Sequence, residues 1–122
     1  MKKEIVLILH DIRSAQNVGA MFRTAEAAGV NKIYLTGYTP APLDRFGRER
    51  GDVAKSALGA EKLVKWEIKK GLPAIVCRLR REGFYIIAIE QSPESVDYKK
   101  VSARGGPAYG WKKLVFIVGN EV

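Results

Sequence analysis

Four short apolar runs punctuate the chain, at residues 5–9, 33–35, 85–89 and 114–118. They are mostly continuous rather than alternating. Successive side chains of a strand point to opposite faces, so a continuous apolar run has to be buried on both, as in a parallel sheet covered by helices. Helical patterns lie between the runs. Residues 16–29 put Val18, Met21, Phe22 and Ala25 on one side. Residues 72–82 do the same with Leu72, Ile75, Val76 and Leu79, with Pro73 near the start and Gly83 just past the end. A short helix is predicted after Asp52, ending near Gly59. Strand, helix, strand, then helix, strand predicts a doubly wound α/β domain. Residues 37–52 and 91–112 read as long loops, either functional or simple connections.

The 122 residues amount to about one domain, and 47% apolar content is enough for a core. No run approaches the roughly 18 apolar residues that span a bilayer. The amino-terminal stretch MKKEIVLILHD resembles a signal peptide only superficially, because its apolar run is five residues long and no small-residue cleavage site follows. Cys77 is the one cysteine and His10 the one histidine. Neither a disulfide within the chain nor a metal site follows from that pair, and a reducing cytoplasm suits it. The excess of 21 basic over 13 acidic side chains, a net charge of +8, favours a polyanionic partner through counterion release.

In an open α/β sheet ligands bind beyond the carboxyl ends of the strands. That directs attention to His10 and Asp11, to Thr36 and Gly37, to Glu90, Gln91 and Ser92, and to Gly119, Asn120 and Glu121. His10 also reads as a structural strand-end residue. Arg23 points away from the apolar stripe of the first helix, among Gly19, Ala20, Glu26 and Ala27. It has two readings: a guanidinium with room beside it to grip phosphate or carboxylate by two bonds, or half of a surface ion pair with Glu26. Asn17 stands near the helix start, where a cap is expected. No Gly-x-Gly-x-x-Gly or Walker loop is present, and no Ser/His/Asp set can be assembled.

The combination is nevertheless specific. The stretch HDIRSAQNVGAMFRTAEAAGVNKIYLTG, a strand followed by Asn-x-Gly-x-x-x-Arg-Thr-Ala and a glycine before the next strand, resembles the first motif of the SpoU (TrmH-like) RNA 2′-O-ribose methyltransferases of the SPOUT superfamily. KLVFIVGNE resembles the start of that family's second motif, and VAKSALGAEKLVKWE and YIIAIEQS lie in the expected order between the two. The resemblance implies a parallel, doubly wound sheet of the trefoil-knot type. It implies S-adenosylmethionine-dependent methyl transfer to a ribose 2′-hydroxyl of tRNA or rRNA, without a metal. Arg23 would grip the phosphate beside the target ribose, Asn17 would shape the pocket, and Glu121 would orient these groups or hold substrate. The cofactor loops would fall on Ile89, Glu90 and Gln91 and on Val118, Gly119 and Asn120.

The family continues past the equivalent of Val122, the last residue here, into a third motif containing Ser-Leu-Asn and a terminal helix. The expectation is therefore a methyltransferase domain over residues 1–122 without its carboxyl-terminal portion, with the knot incomplete and the homodimer belonging to the complete form. The alternative is a non-catalytic RNA-binding module or an inactive truncated form. No separate RNA-binding domain is expected, so RNA contacts would come from Arg45, Arg48 and Arg50 in one loop. Lys99, Lys100, Arg104, Lys112 and Lys113, in or beside the other loop, are further candidates, with Tyr109 and Trp111 available to stack on bases.

Overall fold

The computed structural model describes residues 3–89 and 111–119. Five strands form one parallel sheet: β1 (Glu4–His10), β2 (Lys32–Thr36), β3 (Lys65–Lys69), β4 (Tyr85–Ile89) and β5 (Lys113–Gly119), in the order β3-β2-β1-β5-β4. Three helices connect them: α1 (Ala15–Ala28), α2 (Gly51–Ala57) and α3 (Leu72–Arg81). The predicted α/β class and parallel sheet are thus present. β1 explains the continuous apolar run. It lies between β2 and β5, with Val6 and Ile8 facing the α3 side and Leu7 and Leu9 the α1 side. The α1/α2 layer buries Leu9, Ile12, Val18, Phe22, Ile33, Leu35 and Val53. The α3 layer buries Val6, Ile8, Tyr34, Ile75, Leu79 and Val115.

Two local readings need correction. The cap of α1 is Ser14, whose hydroxyl accepts from the Asn17 amide at 3.1 Å, so Asn17 sits in the first turn rather than at the cap. The helix ends on Gly29 at φ 79°, with the Val30 amide donating back to the Ala25 carbonyl at 2.9 Å, a Schellman close. The edge strand β3 was not among the expected strands. Its sequence KWEIK carries only two apolar residues, and Ile68 remains 62% exposed. Such a strand has little apolar pattern to read, and its lysines discourage pairing of the open edge with another chain.

Gly19 also has a different purpose from the one its spacing suggested. It is buried, and a Cβ there would collide with the Ser56 hydroxyl and the Val53 carbonyl of α2. The small residue gives room to a second helix, not to Arg23. The described part of the 91–112 loop is confined to Trp111 and Lys112, and the 37–52 loop carries an antiparallel bridge between Leu43 and Glu49 before α2 begins.

Gly19→Ala should destabilise the domain by about 1–3 kcal/mol, because the obstructing atoms include backbone that cannot move without parting the helices; urea unfolding measures this. A second expectation concerns β3. Lys32 and Lys69 lie 2.8 and 3.1 Å from the Glu67 carboxylate and, Lys32 foremost, hold its pKa down to about 2 from 4.5. A lowered native value gives a stabilisation that is complete above the unfolded value and is lost as pH falls through the native one. Glu67→Gln should therefore melt slightly below the parent at neutral pH, with the gap closing between pH 4.5 and about 2. With the side chain 47% exposed, added salt should shrink the gap too.

Candidate functional site

The carboxyl ends of β1 and β2 are locked together by side chains, with Gly119 of β5 packed close beside them. His10 Nδ1 lies 2.8 Å from the hydroxyl of Thr36, which is fully buried, and its Nε2 lies 3.3 Å from Asp11 Oδ2. A proton on Nε2 facing the carboxylate leaves Nδ1 to accept from the threonine. Asp11 holds a left-handed backbone at φ 53°, and its Oδ1 accepts from the Tyr38 amide at 3.1 Å. Gly37, at φ 65°, leaves the space this carboxylate fills. The Thr39 hydroxyl accepts from the Ile12 amide at 3.1 Å and faces the carbonyls of Leu9 and Thr36 at 3.0 and 2.9 Å. A Cβ on Gly119 would stand 2.8 Å from the His10 carbonyl oxygen. The strand-end reading of His10 describes this arrangement. Thr39 was not singled out in the sequence, since a lone threonine in a loop gives no periodic signal.

A cleft of about 380 Å³ runs along α1 above the β1–β5–β4 part of the sheet. Its lining includes Asn17, Ala20, Met21 and Thr24 from α1, with Phe116 and Val118 from β5 and Ile89 from β4. Ile89 and Val118 are register partners across β4 and β5. Three of the expected site residues, Asn17, Ile89 and Val118, therefore share one cleft. Gly119 ends β5 beside His10. Glu90, Gln91, Asn120 and Glu121 lie outside the described residues.

Arg23 is exposed on α1 and does not line the cleft. The surface pair with Glu26 is not formed; among the described residues nothing bonds its guanidinium. The other expected basic residues divide into two groups. Arg45, Arg48 and Arg50 follow β2, on the carboxyl side of the sheet. Lys112 and Lys113 stand at the amino end of β5, where Lys113 donates to the Glu82 carbonyl at 3.1 Å and lies 5.5 Å from the centre of the Phe84 ring. The structure does not bring the two groups onto one surface. Nor are the three arginines equivalent. Asp52 takes two bonds from Arg50, at 3.3 and 3.0 Å, which raises the arginine's pKa and lowers the aspartate's. Arg48 lies 3.3 Å from Asp44, whereas Arg45 has no carboxylate partner among the described residues.

Comparison with known proteins gives the family and the fold. The model of the SpoU rRNA Methylase family matches residues 4–122. The chain belongs to that family. It is 33% identical over 91 residues to the 23S rRNA (guanosine-2′-O-)-methyltransferase RlmB of Neisseria meningitidis serogroup B, covering 75% of this chain and 34% of that protein. Among solved structures, the AdoMet-bound rRNA methyltransferase from Sinorhizobium meliloti superposes with a TM-score of 0.73 at 24% identity, over 99% of this chain and 41% of that one. The A. aeolicus TrmH/SpoU tRNA modifying enzyme gives a TM-score of 0.70 at 23% identity, over 99% and 54%. The fold is therefore that of the SpoU/TrmH methyltransferases. The chain spans about a third to a half of the length of the curated relatives it matches.

Thr36→Val keeps the shape of the buried side chain but removes the partner of His10 Nδ1. We expect a loss of about 0.5–1.5 kcal/mol in denaturant unfolding, together with a changed imidazole resonance in proton NMR.

Proposed function

We propose that the chain carries the core of an S-adenosylmethionine-dependent RNA 2′-O-methyltransferase acting on tRNA or rRNA. The carrying observation is the family match from residue 4 to residue 122, which takes in both motifs. The cleft supports it. Its volume falls within the usual range for small-ligand sites, and its apolar walls suit a flat purine. Ile89 and Val118 stand side by side at the strand ends, and Asn17 brings an amide to the same cleft. These residues would hold the adenosyl portion, with Gly119 and the residues after β4 and β5 completing the pocket. When bound, the cofactor supplies a sulfonium methyl, already electrophilic, so no metal is required.

The protein's task is then to prepare the nucleophile. A ribose hydroxyl is a poor nucleophile at neutral pH and has to be aligned and relieved of its proton. Arg23, always charged and exposed, suits a bidentate grip on the phosphate next to the target ribose. The same positive charge favours the alkoxide as it forms. A second subunit completing the site belongs to this reading, as does a cytoplasmic location, where tRNA and rRNA are found. The exposure of Arg23 on the outer side of α1 is compatible with a site shared between subunits.

The test is transfer of labelled methyl from S-adenosylmethionine to total tRNA and rRNA, followed by nucleoside analysis for 2′-O-methylation. Arg23→Ala should lower transfer by about 100-fold or more, while stability stays within about 0.5 kcal/mol because the residue is exposed. Full transfer by the variant would remove Arg23 from the mechanism. Absence of any 2′-O-methylated nucleoside with the parent protein would defeat the proposal.

A further inference from the structure

The turn after β2 presents an aromatic ring to solvent without any core to bury it. Phe46 is 67% exposed, and the guanidinium carbons of Arg45 and Arg48 each lie 5.0 Å from its ring centre. The turn is stiff. Asp44 Oδ1 accepts from the amides of Phe46 and Arg48 at 2.9 and 3.0 Å, and the Asp44 amide donates to the Arg48 carbonyl at 2.8 Å. Gly47, at φ 78°, closes it, and the Arg50 amide ties it to the Pro42 carbonyl at 2.8 Å. A second exposed aromatic stands nearby in sequence and on the same side of the sheet. Tyr38 is 51% exposed, and Arg13 lies 5.7 Å from its ring centre. Between the turn and β3 runs a groove of about 500 Å³ lined by Tyr38, Leu43, Arg45, Arg50 and Ile68.

An exposed apolar cluster invites association, but arginines on its rim disfavour a purely apolar partner. Aromatic faces flanked by guanidinium groups suit a chain that alternates flat bases with phosphates. Arg13 and Arg45 have no carboxylate partner among the described residues and keep their charge available. Arg50 is held by Asp52 and shapes the groove instead. We infer that Phe46, beside Arg45 and Arg48, is a stacking site for an unpaired base of RNA, with a neighbouring phosphate taken by Arg45, which has no carboxylate partner among the described residues. The inference rests on the RNA reading above but assigns a contact that reading does not need. The turn gives the chain a means of selecting single-stranded or looped RNA over duplex, since a paired base offers no face to the ring.

The test is binding of a short single-stranded oligoadenylate carrying a fluorescent adenine analogue, against an RNA hairpin stem of equal length. The parent should prefer the single strand and perturb the fluorescence of the analogue. Phe46→Leu should weaken single-strand binding about 5- to 100-fold with an unchanged salt slope, and Phe46→Trp should retain it. Arg45→Gln should reduce the salt slope by about 0.7. Equal affinity of Phe46→Leu and the parent, or no RNA binding by the parent, overturns the inference. So does a change of oligomeric state in Phe46→Leu, which would make the ring a protein contact. Methyl transfer separates this from the main reading. A parent that methylates RNA while Phe46→Leu binds normally sinks only the stacking site; base stacking on Phe46 without methyl transfer sinks only the enzyme.

Discussion

The structure is organised around its central strand. β1 is hydrogen-bonded on both edges and covered by helices on both sides, so each of Val6, Leu7, Ile8 and Leu9 reaches a core cluster. Burial of that kind is the largest favourable term available to a domain of this size. It also determines where chemistry can occur. β1 contributes Ile5 and Leu7 to the cleft, and at its carboxyl end His10, Asp11, Thr36 and Gly119 converge.

Around that end the chain divides its labour by residue size. Small residues permit contact: Gly19 lets α2 close on α1, Gly37 accommodates the Asp11 carboxylate, and Gly119 passes the His10 carbonyl. Polar residues then hold the loop, with Thr39 tying the departing β1 chain to the departing β2 chain. The result is a rigid floor beside an apolar cleft. A cofactor-dependent transfer to RNA makes two different demands, a dry pocket for a small ligand and a charged exterior for a polyanion. In the proposed reading the cleft along α1 would answer the first and the arginine-bearing turn after β2 the second.

The readable and unreadable parts of the sequence differ for physical reasons. The helix at 72–82 announced itself through Ile75 and Leu79, both buried, and through a proline at its start. β3 did not, because a short charged edge strand buries almost nothing and its place comes from pairing with β2. Asn17, Ile89 and Val118 could be gathered from motif resemblance, and the fold brings them to one cleft. Lys113 could not be judged from charge. Its ammonium is spent on a helix-end carbonyl and an aromatic face at the far end of the sheet.

The sequence by itself determined the class of fold and the family, because continuous apolar runs and the spacing of Asn17, Gly19 and Arg23 are properties of neighbours along the chain. Tertiary structure decided what those neighbours are for. Gly19 is a helix-packing residue only once α2 lies against it, and Asn17 stands in the first turn because Ser14 takes the cap. Phe46 becomes a presented ring rather than a core residue because its turn is held by Asp44 at the edge of the molecule. Periodicity records which faces are apolar; which atoms come within bonding distance depends on contacts between residues far apart in the chain, and no local pattern encodes those.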